Sequence, residues 1–180
     1  MSNNLIDKAE QYARHYHKGQ IRKGAAAEPY ITHVSEVASL VRSFGGDDVA
    51  IAGAWLHDVV EDCTPTIDDI LIEFGEEVAA VVAEVTDDKT LEKAERKIRQ
   101  VANAAKKSDR ACSIKWADKI SNLRAIAQSP PPWSDYRKLE YIAWAQKVTN
   151  NLPYKPHQAV IMFASAMALT RDSIQSEVRT

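Results

Sequence analysis

Apolar positions recur at spacings of three and four along nearly the whole chain, the repeat of one face of an α-helix. Leu5, Ala9, Tyr12, Ala13 and Tyr16 form the first such set, and Gly19 stands where that helix should end. Val34, Val37, Ala38, Val41 and Phe44 form the second, stopped by Gly45-Gly46. Asp47 or Asp48 is placed to cap a third helix, which runs through the apolar "AIAGAWL" (50–56) into "HDVVED" (57–62). Thr66 and Asp69 read as a capping pair for a short helix with Ile67, Ile70, Leu71 and Phe74 on one face and Gly75 beyond its end. Val78, Val81, Val82 and Val85 follow; β-branched runs suit strands, but the spacing assigns them to helix. A polar helix is expected from 90 to about 107, another from about 111 to 128, and two more over 133–148 and 156–174. "SPPP" (129–132) ends the helix before it, because no helix interior tolerates it. Helices flank that turn closely, so it lies within a domain rather than between two. There is no alternating strand pattern, internal repeat or low-complexity linker. The pattern predicts one all-α domain over residues 1–180, a bundle of about eight or nine helices.

Composition narrows the class. A chain of 180 residues can bury one proper core, and 45% hydrophobic with 27% charged residues is ordinary for a globular protein. The longest apolar run, "AVIMFASAMAL" (159–169), is shorter than the ~20 residues that span a bilayer. A net charge of -2 argues against a general nucleic-acid or membrane binder. Charge is uneven, however: from Lys89 to Arg110 eight Lys/Arg face only Glu92, Glu95 and Asp109. Cys63 and Cys112 have no paired spacing, so a disulfide framework is not expected and a reducing cytoplasm fits. The opening "MSNNLIDKAEQYARHYHKG" has no apolar core of a secretory signal.

The chemistry is concentrated where the third helix changes character. Within one residue the apolar run becomes His57, Asp58, Glu61 and Asp62. Burying such groups without partners is costly. At about 100° per residue the four fall within about 140° of arc, so they can converge on one point. A divalent cation is the simplest reason for that sector. Further ligands must come from elsewhere in the chain, which has five histidines. His33 lies in "PYITH" (29–33) at a helix start, and Asp118 lies in "KWADKISNL" (115–123) among Ile114, Ile120 and Leu123. Asn122 is four residues on and shares the face of Asp118. Two histidines and two aspartates without a thiolate suit manganese, iron or zinc. Glu61 and Asp62 would then be left to position or deprotonate a water. A His-Asp pair alone is more often a simple hydrogen bond, but an upstream histidine and a later aspartate make the set far more specific. Trp55, Trp116 and Trp144 read as core and Trp133 as a loop anchor. His15 and His17 read as surface residues, His157 as a helix start without a required role, and Cys63 as an inert thiol.

"HDVVED", with "PYITH" before it and "KWADKISNLR" after it, resembles the HD superfamily of metal-dependent phosphohydrolases. More narrowly the chain looks like the hydrolase domain of the RelA/SpoT homologues, and most of all like the stand-alone small alarmone hydrolases. The likeness extends through "ARHYHKGQIRK", "EVTDDKTLEKAERK" and "WSDYRKLEYIAWA", so it covers nearly the whole chain. It implies His33, His57, Asp58 and Asp118 as ligands of one manganese ion, with zinc or iron as alternatives. It implies Glu61 and Asp62 as the catalytic acidic pair. Asn122 matches a residue near ribose and metal, and Arg22 an arginine packed on guanine, with Lys23 beside it. Lys93, Arg137 and Tyr141 match residues near the substrate's phosphates. The activity implied is removal of the 3′-diphosphate from guanosine tetra- and pentaphosphate, giving GDP or GTP and pyrophosphate. A chain of 180 residues has no room for the synthetase domain of the long family members. A 2′-phosphatase acting on NADPH and a non-catalytic alarmone sensor are the alternatives. The implied partner is a small nucleotide, without nucleic acid or membrane, and a homodimer is compatible with the pattern.

Overall fold

The structure, a computed structural model, describes residues 3–177. Among them are ten α-helices and no strand longer than the isolated bridge between Ile21 and Pro29. The helices are α1 (Asn3–Tyr16), α2 (Ile31–Ser43), α3 (Asp48–Leu56), α4 (Val59–Asp62), α5 (Ile67–Phe74), α6 (Glu76–Val85), α7 (Lys93–Asn103), α8 (Asp109–Gln128), α9 (Asp135–Asn151) and α10 (His157–Glu177). A 3-10 turn at Ala104–Lys106 follows α7. The all-α bundle expected from the spacing is what forms. It has one helix more than expected because the helix entering "HDVVED" breaks at His57 and Asp58, separating α3 from α4.

Two helices organise the core. Every residue of α3 from Ala50 to Leu56 is buried, which an all-round apolar sequence allows and which a surface helix could not sustain. It is packed by α1, α2, α6 and α8. Gly53 lets α6 and α8 approach: a Cβ there would meet Val81 Cγ1 at 3.0 Å and Ile114 Cδ1 at 3.2 Å. The second organiser is α8, which lies against α10, α2, α3, α6 and α9. Ile114, Trp116, Ile120 and Leu123 fill its buried side.

Local signals set the boundaries. Asp47 accepts from the Ala50 N–H at 2.9 Å and caps α3. Thr66 and Asp69 form the expected capping box on α5, and Gly75 at φ 83° takes the left-handed turn into α6. Ser108 and Ser134 cap α8 and α9. The "SPPP" turn is pinned from across the molecule, where Ala26 N donates to Ser129 Oγ at 2.8 Å and Ala25 N to Pro130 O at 3.2 Å.

Three expectations need correcting. His17 is buried at 2% exposure, not on the surface; it lies four residues after Ala13 and continues the buried stripe of α1. The polar helix is shorter than 90–107 and has no buried residue. It is moored to α9, where Trp144 Nε1 donates to the Lys97 carbonyl at 3.1 Å and Lys97 Nζ sits 5.0 Å over the Trp144 ring. Trp55 and Trp116 are buried as expected, whereas Trp144 is half-buried because it serves this α7–α9 contact. Among the described residues no helix is long and apolar enough to cross a membrane.

Candidate metal centre and active site

His57 ends α3, and Asp58 follows at φ −104°, ψ −4°, a bend that turns both side chains to the same side. His33, near the start of α2, meets them: ligand atoms of His33, His57 and Asp58 all lie within 4.8 Å of one another. His57 Nε2 is 3.0 Å from Asp58 Oδ2, and His33 Nε2 is 3.6 Å from the same oxygen. From α8, Asp118 Oδ1 reaches to 3.5 Å of His33 Nε2. Of the four residues expected as ligands, His33, His57 and Asp58 share one cluster, and Asp118 approaches it on the His33 side.

The outer atoms of both histidines are fixed by the fold. His57 Nδ1 is 2.7 Å from the Ala54 carbonyl, which can only accept, so Nδ1 carries the proton. That leaves the buried Nε2 as the atom turned to the centre, 3.0 Å from Asp58 Oδ2, where a cation would displace its proton. His33 Nδ1 is 2.9 Å from Ser121 Oγ, which donates its own proton to Glu36 at 2.6 Å; Arg124 holds Glu36 at 2.9 Å. Ser121 can then only accept from His33, so His33 Nδ1 donates outward and Nε2 is the atom that faces the centre. Two buried imidazole nitrogens and two carboxylates, both preset for a cation, fit a divalent metal of nitrogen/oxygen preference.

The carboxylates are held as anions. Burial opposes charge on Asp58, but His57 and His33 hold its carboxyl well below the usual range. Burial likewise opposes Asp118, and Lys119, then His33 and His57, bring it down to about 2. Lys119 Nζ donates to Asp118 Oδ2 at 2.8 Å and Asn122 Nδ2 to Oδ1 at 2.6 Å. On Asp58, the Tyr30 hydroxyl donates to Oδ2 at 2.6 Å. In the metal-free protein burial disfavours a proton on His57, yet Asp58 and Asp118 prevail and raise it to about 9.

Glu61 and Asp62 occupy different settings. Glu61 is largely buried; the Asp87 N–H donates to Oε2 at 3.2 Å and Arg96 Nη1 to Oε1 at 3.4 Å. Burial first, then Asp58 and Asp87, push its carboxyl up. Asp62 stands at the rim in an ion pair with Lys89. A cleft of about 200 Å³ opens from Glu61, walled by Lys93, Arg96 and Lys97 on α7 and by Arg137, Tyr141 and Trp144 on α9. Lys93, Arg137 and Tyr141 are thus where the sequence suggested. Arg22 Nη2 donates to Asn122 Oδ1 at 3.4 Å, and Tyr141 is also a hydrogen-bond partner of Asn122, so Asn122 links the metal centre to both. Lys23 is exposed and has no direct contact with the centre, although its charge acts on Lys93. Tyr30, Ser121, Glu36 and Lys119 were not anticipated, and Arg96 and Lys97 only as members of the basic stretch from Lys89 to Arg110. The buried lysine and the run of basic residues on α7 were visible in the sequence, but their contacts lie across helices.

The HD-domain family model matches residues 9–143, three-quarters of the chain and every site residue named above except Trp144. The chain belongs to the HD-domain family. Within this family its relatives are also specific. The guanosine-3′,5′-bis(diphosphate) 3′-pyrophosphohydrolase MESH1 of Drosophila melanogaster is 45% identical over 79% of this chain and 81% of that protein. The Homo sapiens protein of the same name is 42% identical over 80% and 82%. A solved structure described as a metazoan orthologue of SpoT that hydrolyses ppGpp superposes with a TM-score of 0.86 at 38% identity, covering 91% of this chain and 94% of the other. The fold shared with that structure thus covers nine-tenths of this chain.

Proposed function

We propose that this HD-family chain is a divalent-cation-dependent 3′-pyrophosphohydrolase of guanosine tetra- and pentaphosphate, with manganese as its ion. The observation that carries the reading is that His33, His57 and Asp58 cluster with Asp118 3.5 Å from His33, and that Glu61, three residues after Asp58, lines a cleft walled by cations. The 3′-pyrophosphohydrolase relatives, 42–45% identical across four-fifths of both chains, support the substrate.

His33, His57, Asp58 and Asp118 would hold the cation, which when bound lowers the pKa of a water and polarises a phosphoryl oxygen. Glu61 takes the proton of the attacking water; burial, then Asp58 and Asp87, raise its affinity for that proton. Asp62, at the rim, orients that water. Its oxygen bonds to the phosphorus on the ribose 3′ oxygen, and the bond between that phosphorus and the 3′ oxygen breaks. The 3′ oxygen takes up a proton, so the products are GDP or GTP and intact pyrophosphate. Arg22 stacks on the base, Asn122 holds Asp118 and the sugar edge, and Lys93, Arg137 and Tyr141 face the phosphates. Lys23 adds charge at the entrance.

The test is turnover of guanosine tetraphosphate against NADPH by the purified protein. The proposal expects kcat/KM for guanosine tetraphosphate to exceed that for NADPH by at least about tenfold. Faster phosphate release from NADPH would move the assignment to a 2′-phosphatase. Tight nucleotide binding without any product would make the chain a sensor.

A further inference from the structure

The cleft holds more positive charge than the expected residues supply. Lys93, Arg96 and Lys97 come from the first turns of α7, and Arg137 faces them from α9. Among the described residues no carboxylate lies within ion-pair distance of Lys93, Lys97 or Arg137, while Arg96 reaches Glu61. Burial, then Arg137, Lys97, Lys23 and Arg96, pull the Lys93 ammonium down, the mark of cations that outnumber the acidic groups Glu61 and Asp87 of the same cleft. Such a cluster matches a polyanion that arrives from outside.

Arg96 differs from its neighbours. Its Nη1 lies 3.4 Å from Glu61 Oε1, long beside the roughly 2.7–2.9 Å of a committed charge-assisted bond. Its Nε is buried and has no hydrogen-bond partner. The same side chain borders the cleft and a second hollow of about 310 Å³ behind α7. The guanidinium therefore touches the base and retains donors for another acceptor. A planar fork can serve two partners at once, which an ammonium does less well.

We infer that Arg96 is a further catalytic residue, binding the diphosphate under transfer while holding the Glu61 carboxylate against the attacking water. This rests on the reading of Glu61 as the base. It joins the two halves of the chemistry: the group that activates water and the group that is transferred share one guanidinium.

The test uses Arg96→Ala and Arg96→Lys, with Arg99→Ala, whose arginine pairs with Glu95 on the outer face, as control. Steady-state kinetics on guanosine tetraphosphate are combined with calorimetric titration of inorganic pyrophosphate into chelator-treated protein. In Arg96→Ala, kcat falls about 10²- to 10³-fold while KM changes less than about threefold. Pyrophosphate binds about tenfold more weakly. Arg96→Lys recovers pyrophosphate affinity but not kcat, and Arg99→Ala behaves as the unmodified protein. A folded Arg96→Ala with unchanged kcat or unchanged pyrophosphate affinity overturns the assignment; if that variant is unfolded, Arg96→Lys with full kcat overturns it instead. If the unmodified protein releases no pyrophosphate from guanosine tetraphosphate, the functional reading fails, and the titration alone decides whether Arg96 meets a diphosphate.

Discussion

His57 and His33 each turn Nε2 to the centre because their Nδ1 atoms are already bonded, one to the Ala54 carbonyl and one to Ser121. Ser121→Ala leaves His33 Nδ1 buried without its acceptor, so metal affinity should fall about 10- to 100-fold while the fold persists; competition titration against a chromogenic chelator reads this directly. Asp58 and Glu61 separate binding from chemistry. Asp58→Ala should lose metal and turnover together, whereas Glu61→Gln should retain the metal and lose about 10²- to 10⁴-fold in kcat, measured by elemental analysis beside kinetics. Full turnover in Glu61→Gln removes the glutamate from its role. The proposed ligands His57, Asp58 and Asp118 stood out because charge breaks an apolar pattern at 57–58 and at 118. Ser121, Glu36 and Tyr30 were not: Ser121 and Glu36 meet across 85 residues, and no periodicity reports which helix faces which. His17 was legible and misread, since it stands four residues beyond Ala13 on a buried stripe.

At the scale of the element, α3 carries the centre. It is buried on all sides and its start depends on Asp47, which caps it and pairs with Arg110 at 2.7 Å. Asp47→Ala removes both and should cost about 1–2 kcal/mol in denaturant unfolding, with metal affinity little changed in the folded fraction. Against partial burial, Arg110 and the Ala50 N–H hold Asp47 below the ordinary aspartate range. Its contribution is therefore complete above pH ~4 and is lost as pH falls through its lowered pKa, so the gap between variant and parent should narrow in acid. A gap constant down to pH ~2 would contradict the ionic part of this account. The sequence pattern located α3 and its cap, but not its end. A continuous helix spreads His57, Asp58, Glu61 and Asp62 over one sector; the bend after Leu56 instead aims His57 and Asp58 at the centre and leaves Asp62 at the rim. That bend arises where His57 Nδ1 takes the Ala54 carbonyl, a side-chain competition that spacing alone does not reveal.

For the molecule as a whole, the centre joins α2, α3 and α8, so its charge state is a stability term. In metal-free protein His57 has a pKa raised to about 9 against ~6.5 unfolded. Its stabilising proton is fully present below pH ~6.5 and is lost as pH rises through about 9, so chelator-treated protein should weaken across that window. A bound cation replaces the proton, and the metal-loaded protein should show little of this slope in urea unfolding. Equal slopes with and without metal would contradict the arrangement. The bundle, its order and its single core followed from three–four spacing. The cleft did not, because α7 has no fully buried residue and meets α9 through Trp144 and the Lys97 carbonyl, a contact that spacing does not report.

The central claim is that water attacks the phosphorus bound to the ribose 3′ oxygen. It is tested most directly by turnover of guanosine tetraphosphate in ¹⁸O-water with a divalent cation, followed by mass spectrometry of both products. The account predicts intact pyrophosphate carrying one ¹⁸O and unlabelled GDP, with neither product formed in chelator. Label in the GDP, or orthophosphate in place of pyrophosphate, would contradict it.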